Sequence, residues 1–338
     1  MEECIAYVSC AQDRQIAVLA MNCATGALRD VAVVTVPGTD GPATSMPLAL
    51  RPDRAVLYAA TRYAPFQLVS FAVAADGMLS QIGTAPAVEQ FCYLTTDRSG
   101  RHLLAASYGG ALVTSNPTDK DGVASAPATQ VMQTPPKAHS IIPDPSNRFL
   151  LAASLGGDCI LRLAFDTDAG TFQKLAPVAT KPGSGPRHLR FSPNGRFVYL
   201  INELDGTINT YAFDEAQGGL TELQSISLLP PGVDGPVAAA DIHITPDGRF
   251  LYGSERTTNL LTGFAVDSTT GKLSPINAVP TNSAPRGFAI DPSGHFLLCA
   301  ELATRSLAMF AIDQKTGALA RIGAHAVGGG PNWITFLE

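Results

Sequence analysis

The chain has 338 residues and a formal net charge of −6, and only 15% of its residues are charged. The acidic balance argues against nucleic acid as the main partner, because phosphate backbones attract basic surfaces. With 31 Gly and 25 Pro, the composition predicts many turns and apolar strands and argues against long helices or extended disorder.

Met1-Glu2-Glu3 is followed by no basic stretch with an apolar core, so no export leader is expected. No run of 18 apolar residues exists, and no membrane partner is expected. The six cysteines (Cys4, Cys10, Cys23, Cys92, Cys159 and Cys299) form no CxxC pair. Spacing alone leaves disulfides open, but the pattern fits free, mostly buried thiols in a cytoplasmic protein.

In chain order, Ile5–Ser9, Gln15–Met21 and Leu28–Val36 read as three strands. A short turn then recurs: Arg51-Pro52-Asp53-Arg54, Asp97-Arg98-Ser99-Gly100, Asp144-Pro145-Ser146-Asn147, Ser192-Pro193-Asn194-Gly195, Thr245-Pro246-Asp247-Gly248 and Asp291-Pro292-Ser293-Gly294. Successive copies are spaced 46, 47, 48, 53 and 46 residues apart. Ser115–Thr129, polar and small, predicts a long connection in the second unit. The unit is clearest over Gly185–Asp214, where alternation and tight-turn pairs at Asn194-Gly195 and Asp205-Gly206 predict strands Arg187–Phe191, Arg196–Asn202 and Thr207–Phe213. A fourth strand follows at about Leu220–Leu228. The longest interval contains Leu229–Pro236, a loop whose closure over a ligand the sequence leaves open. Asn332–Phe336 reads as a lone strand at the C-terminus.

A period of this length with four strands is the signature of a β-propeller. The reading is all-β: seven four-stranded antiparallel blades forming a single domain over residues 1–338. The lone C-terminal strand and the three N-terminal strands share the seventh blade, which closes the ring and removes exposed sheet edges.

In such a ring the start of each first strand and the end of each second strand lie at one channel mouth. The starts supply His139, Arg187 with His188, Asp241, Arg286 and Asn332. The ends supply Arg62, Tyr108, Leu155, Glu203, Arg256 and Leu302. Four arginines and two histidines against one glutamate and one aspartate predict a cationic pocket suited to a small anion, because Arg grips carboxylate or phosphate with a two-pronged fork. The competing reading is that these side chains are inter-blade salt bridges and loop caps. Asp241 and His243, in ADIHITPDGR, are expected to tie neighbouring blades. His102, His295 and His325 are expected to be solvated, and Trp333 to pack between blades. No G-x-S-x-G, H-E-x-x-H, zinc-ligand spacing or glycine-rich phosphate loop occurs, so neither metal nor cofactor is expected.

At GPRHLRFSPNGRFVYLINEL, AADIHITPDGRFLYGSERTTNLLTGF, APRGFAIDPSGHFLLCAE and HAVGGGPNW the chain resembles the seven-bladed propeller lactonases, a family that includes bacterial 6-phosphogluconolactonases and fungal-type carboxy-cis,cis-muconate lactonizing enzymes. The resemblance covers nearly the full length. It implies an active mouth in which His139, Arg187, Glu203 and Arg256 are catalytic. Arg62, His188, Arg286 and Asn332 are expected to bind substrate. Pro136-Lys137-Ala138 and Tyr108-Gly109-Gly110 depart from the bacterial lactonase pattern.

The activity this implies is metal-independent hydrolysis of 6-phosphogluconolactone, with a small anionic lactone as partner and a monomer or weak homodimer as the acting form. Arg187 and Arg256 would stabilise the oxyanion, Arg62 and Arg286 would hold the phosphate, and either His139 or Glu203 would act as base. The alternatives are muconate-type lactonization or hydrolysis of another anionic lactone at the same mouth, and a non-catalytic scaffold.

Overall fold

The computed structural model describes residues 3–38, 44–233 and 235–337. Seven antiparallel sheets follow one another around a central axis, and among the described residues the only helical element is one 3-10 turn, Ala11–Asp13. The innermost strands are Leu48–Leu50, Tyr93–Thr96, Ala138–Pro143, Pro186–Phe191, Ala239–Ile244, Pro285–Ile290 and Pro331–Leu337, in blades one to seven. Each touches the innermost strand of the next blade, the seventh touching the first. The ring closes as the sequence predicts: Pro331–Leu337 pairs with Glu3–Cys10, in register from Ile5 opposite Leu337 to Ser9 opposite Trp333, followed by Gln15–Asn22 and Leu28–Thr35.

The fourth blade comprises Pro186–Phe191, Phe197–Asn202, Thr207–Asp214 and Gly219–Ser227, within a residue of the predicted bounds. The third blade carries an unpredicted addition, Val178–Ala179, paired to Cys159 and Ile160. Asp234 of the predicted loop Leu229–Pro236, and Met1 and Glu2 of the expected leaderless start, lie outside the described residues.

One contact recurs at all seven blade interfaces and explains the periodic glycines. The residue that opens each second strand, or lies near its start, sits over a positive-φ glycine in an outer turn of the next blade. The pairs are Ile5 on Gly77, Val56 on Gly122, His102 on Gly170, Phe149 on Gly218, Phe197 on Gly271, Phe250 on Gly317 and Phe296 on Gly26. A Cβ at any of these glycines would overlap that side chain, and their left-handed backbone disfavours any other residue. Four tyrosines on second strands add a bolt each: the hydroxyls of Tyr7, Tyr58, Tyr199 and Tyr252 donate to the carbonyls of Gly77, Gly122, Gly271 and Gly317. The core therefore lies between blades. Tyr199, Ile201 and Ile208 of blade four, for example, are buried in one cluster with Ile242, Leu251 and Phe264 of blade five.

Two expectations are corrected here. His102 is buried rather than solvated, because it takes the place held by Phe in other blades, and its Nε2 lies 2.9 Å from the Thr167 carbonyl. Ser115–Thr129 is not a loose connection. Leu112–Pro117 is a strand, Thr118 bridges Ala124, and the segment docks on blade one through Tyr58 to Gly122 and Ala124 N–H to Ser70 Oγ at 3.0 Å. Trp333 packs between blades as expected. It crosses the axis to meet Tyr93 of blade two and His188 of blade four, at centroid distances of 5.3 and 6.1 Å. His295 is exposed, and His325 lies on an outer strand beside Asp30. All six cysteines are free, and all but the partly buried Cys23 are buried.

Candidate active site

In blades three to six the pairing of first and second strands slips near the start of the innermost strand, as between Pro186 and His188 in blade four. Such a bulge re-aims side chains. Here it lets two consecutive residues, Arg187 and His188, both serve the axis, and both are buried. Second-strand alternation does the complementary work at the other end of each hairpin. Glu255 is buried and consumed by backbone N–H groups of Ala238, Thr257 and Thr258. Its neighbour Arg256 faces the mouth, as Glu203 does in blade four.

Glu203 is the hub of the mouth. Its Oε2 accepts from Arg187 Nε at 2.8 Å, and its Oε1 lies 3.0 Å from Arg256 Nη2. Backbone carbonyls complete the hold on both guanidiniums: Ala240 O accepts from Arg187 Nη1, and Ala238 O from Arg256 Nε at 2.9 Å. The sequence reading missed this role of the PVAAAD run. Its signal was the run of small residues, which lets buried backbone come close enough to accept from two arginines. Arg187 Nη2 and Arg256 Nη1 remain without protein partners among the described residues.

Arg286 donates to the Thr44 carbonyl at 2.9 Å, and Arg62 to Ser45 Oγ at 2.8 Å and Gln90 Oε1 at 3.4 Å. Among the described residues neither has a carboxylate within ion-pair distance, and Arg62 Nε is buried without a partner. Burial, then repulsion from Arg187, Arg256 and Arg62, pushes Arg286 down to about 9. Arg187 and Arg286 line one cavity. Burial, with Arg256 opposing Glu203, also holds Arg187 below its ordinary value.

His139 stands beside them, its ring 5.2 Å from His188 and 5.7 Å from Tyr108, with a buried Nδ1 that has no partner. Burial, reinforced by Arg187, His188 and Arg286, holds it well below the usual histidine range, so it is neutral at pH 7. His188 is neutral as well, pushed down to about 3 by burial and Arg187. Its Nδ1 lies 2.8 Å from Asp241 Oδ1, and Arg187 Nη1 lies over the ring, 3.2 Å from Nε2 and 3.5 Å from Nδ1. Burial works against the Asp241 carboxylate, but His243 and His188 outweigh it and hold the group ionised, well below its ordinary value. Asp241 also accepts from the Phe288 N–H at 3.3 Å, so it ties blades four, five and six as expected. Asn332 lines the same cavity, yet its amide is largely committed to Ser9, Met46 and Gly330.

Cys92, Ser45 and Gly287 complete the pocket and were not singled out in the sequence. Gly287 is required there because a Cβ would strike the Asn332 carbonyl. Tyr93, His188, Asp241 and Trp333 form a septum below it. Beyond the septum a larger cavity of about 460 Å³ opens at the opposite end of the channel, lined by Arg190, Thr95 and His243 among others. The smaller pocket, lined by Arg187, His188, Asp241, Arg286 and Asn332, is the candidate site; Glu203 reaches it through Arg187, Arg256 through Glu203, and His139 through the His188 ring. Among the described residues no group of three or more His, Cys, Asp or Glu is placed to hold a metal ion, and no helix is long and apolar enough to cross a membrane.

A seven-bladed propeller whose axial pocket presents several guanidiniums and a neutral imidazole defines a small-anion site of the kind an acyl-transfer enzyme needs. Residues 4–336 match the family described as Lactonase, 7-bladed beta-propeller, and the chain belongs to that family. A 6-phosphogluconolactonase of Serratia proteamaculans is 39% identical over 336 residues, covering 98% of each chain. One of Pectobacterium carotovorum is 37% identical with the same coverage. The solved structure of a periplasmic gluconolactonase from Pseudomonas aeruginosa superposes with a TM-score of 0.89 at 28% identity, covering 99% of each chain.

Proposed function

We propose that this protein hydrolyses 6-phosphogluconolactone to 6-phosphogluconate, a step of the pentose phosphate pathway, in the cytoplasm and without a metal ion. The observation that carries the reading is the division of labour among the arginines. Two are locked on Glu203, and two have no carboxylate partner among the described residues and are available to a phosphate. The names of the Serratia and Pectobacterium relatives point the same way.

Arg62 and Arg286 hold the phosphate, as forked donors suit its geometry. Arg187 Nη2 and Arg256 Nη1 donate to the lactone carbonyl oxygen and stabilise the oxyanion as water adds, supplying the positive charge the transition state needs. His139 takes the proton from that water and returns it to the ring oxygen as the C–O bond breaks. The acid product then releases a proton to solvent. Glu203 has both oxygens occupied by arginines, so it orients them and leaves the base to His139. The substrate's negative charge opposes the arginines around His139 and raises its basicity at the moment it is needed.

A second reading, hydrolysis of an unphosphorylated gluconolactone, is favoured by the name of the Pseudomonas relative, which is also described as periplasmic. Initial rates on phosphorylated and unphosphorylated lactones, with and without a chelator, decide between them. A preference for the phosphorylated lactone of at least about tenfold in kcat/KM, unaffected by chelation, is expected from one charge-assisted contact. Equal rates on both would remove the phosphate from the reading, and loss on chelation would remove its metal independence.

A further inference from the structure

The far end of the channel carries cations that the proposed reaction does not use. We infer that it holds a second site for a tetrahedral oxyanion, built on Arg190 and Arg98, which takes inorganic phosphate or the phosphate group of a sugar phosphate. This site is separate from the candidate active site and does not depend on the reaction proposed there.

Asp241 and Trp333 line both the candidate active site and the larger cavity, so they form the wall between the two. Arg190 lies beyond that wall, further along the innermost strand of blade four than Arg187. A neighbouring space of about 380 Å³ shares Tyr93, Thr95 and Arg190 with the larger cavity and adds Arg98 at its rim. Arg190 is half-buried. Its Nη1 donates to the Tyr93 hydroxyl at 2.8 Å, and its Nη2 lies 3.2 Å from His243 Nε2. The same Nε2 lies 3.2 Å from Asp241 Oδ2. One ring nitrogen can donate to the carboxylate or accept from the guanidinium, but not both. An oxyanion that accepts from Nη2 removes the conflict, because Nε2 is then free to donate to Asp241. The Arg98 side chain donates to the carbonyls of Asp144 and Pro143 at 3.3 Å each. Among the described residues neither arginine has a carboxylate within ion-pair distance. Asp97 lines the same space, but its carboxylate is taken up by the N–H groups of Ser99 and His102 and the Asn147 amide. A half-buried guanidinium without a counter-charge carries a desolvation cost that a bound anion offsets. A carboxylate fills a single guanidinium fork, whereas phosphate has oxygens for two.

Equilibrium dialysis counts inorganic phosphate and, separately, 6-phosphogluconate bound per chain. The proteins compared are wild type, Arg190→Gln, Arg98→Gln and the double variant Arg62→Ala/Arg286→Ala. Wild type is expected to bind at both ends of the channel, the far site with a Kd of about 1 mM or below. Arg190→Gln should weaken the far site by about tenfold or more and Arg98→Gln by about fivefold, each leaving kcat/KM on the lactone within about twofold of wild type. Arg62→Ala/Arg286→Ala should keep the far site. Equal affinity there for the two ligands assigns it to the free anion, and tighter binding of 6-phosphogluconate assigns it to a sugar phosphate. If Arg190→Gln does not fold, Arg98→Gln at the rim decides. Absence of binding to Arg62→Ala/Arg286→Ala at about 10 mM ligand overturns the inference, as does binding that is indifferent to both glutamine variants. Two sites persisting in Arg62→Ala/Arg286→Ala, with one of them lost in Arg190→Gln, supports the far site and removes instead the phosphate role of Arg62 and Arg286.

Discussion

Glu203 and Arg187 face each other across one hairpin of blade four, Oε2 to Nε at 2.8 Å, with Arg187 almost fully buried and Glu203 about one-fifth exposed. The same carboxylate holds Arg256 of the next blade at 3.0 Å, so a single negative charge sets the relative position of two cations that would otherwise repel. Removing one member of such a group leaves the others uncompensated in a poorly solvated pocket.

Glu203→Gln keeps an oxygen for one arginine and loses the charge for both. It should lower kcat/KM by about 100-fold while leaving the fold intact, as expected for loss of a partly buried ionic partner. The measurement is kcat/KM on the lactone beside a circular-dichroism melt. Wild-type kinetics in this variant would show that the clamp has no part in the reaction.

Of the four arginines at the mouth, Arg286 and Arg62 have no carboxylate partner among the described residues. Arg286→Ala should raise KM for a phosphorylated lactone by about 10–100-fold, the worth of a charge-assisted contact, and change KM for its unphosphorylated counterpart by less than about threefold. Comparable losses on both substrates would move Arg286 from the phosphate to the ring.

The acid side of the pH profile follows from His139. Its conjugate acid is held well below the usual range by burial and by Arg187, His188 and Arg286, so the basic form persists as pH falls through 6.5. The acid limb of kcat/KM, which reports the free enzyme, should therefore lie well below pH 6.5. A bound anion favours the imidazolium, so the limb of kcat should lie at higher pH than that of kcat/KM. His139→Gln should abolish the limb together with most of the activity, and a limb that persists in the residual rate would assign it to another group.

One of the seven recurring inter-blade contacts places Phe197 on Gly271. Gly271 has φ +71, and a Cβ there would lie 2.5 Å from the Phe197 ring. Gly271→Ala combines a left-handed backbone cost with overpacking, about 2–4 kcal/mol together. Denaturant unfolding should show that loss, while kcat/KM per folded molecule stays at the wild-type value because the contact is on the outer part of the ring. A neutral substitution would mean the blades can slide apart without penalty.

Repetition made the architecture legible. Turns at near-equal spacing, tight-turn pairs and two-residue alternation are local properties, and they placed the strands of blade four within a residue of their observed ends. The convergence of Arg62, Arg187, Glu203, Arg256 and Arg286 followed from the same repetition, since equivalent positions in successive blades share one mouth. Where a repeat substituted one residue type for another, the reading failed. His102 looked like a surface histidine because nothing local says that it fills the place of a phenylalanine.

The sequence by itself determined which side chains reach the channel mouth, because strand period and blade count are set by the order of residues along the chain. Only the tertiary structure decided what each one does on arrival. Pairing of Glu203 with Arg256, the hold of Asp241 on His188, the septum of Tyr93 and Trp333, and the contact of Arg187 with the Ala240 carbonyl all join residues from different blades. Their energies depend on distances and burial that no single blade contains, so they exist only once the ring has closed.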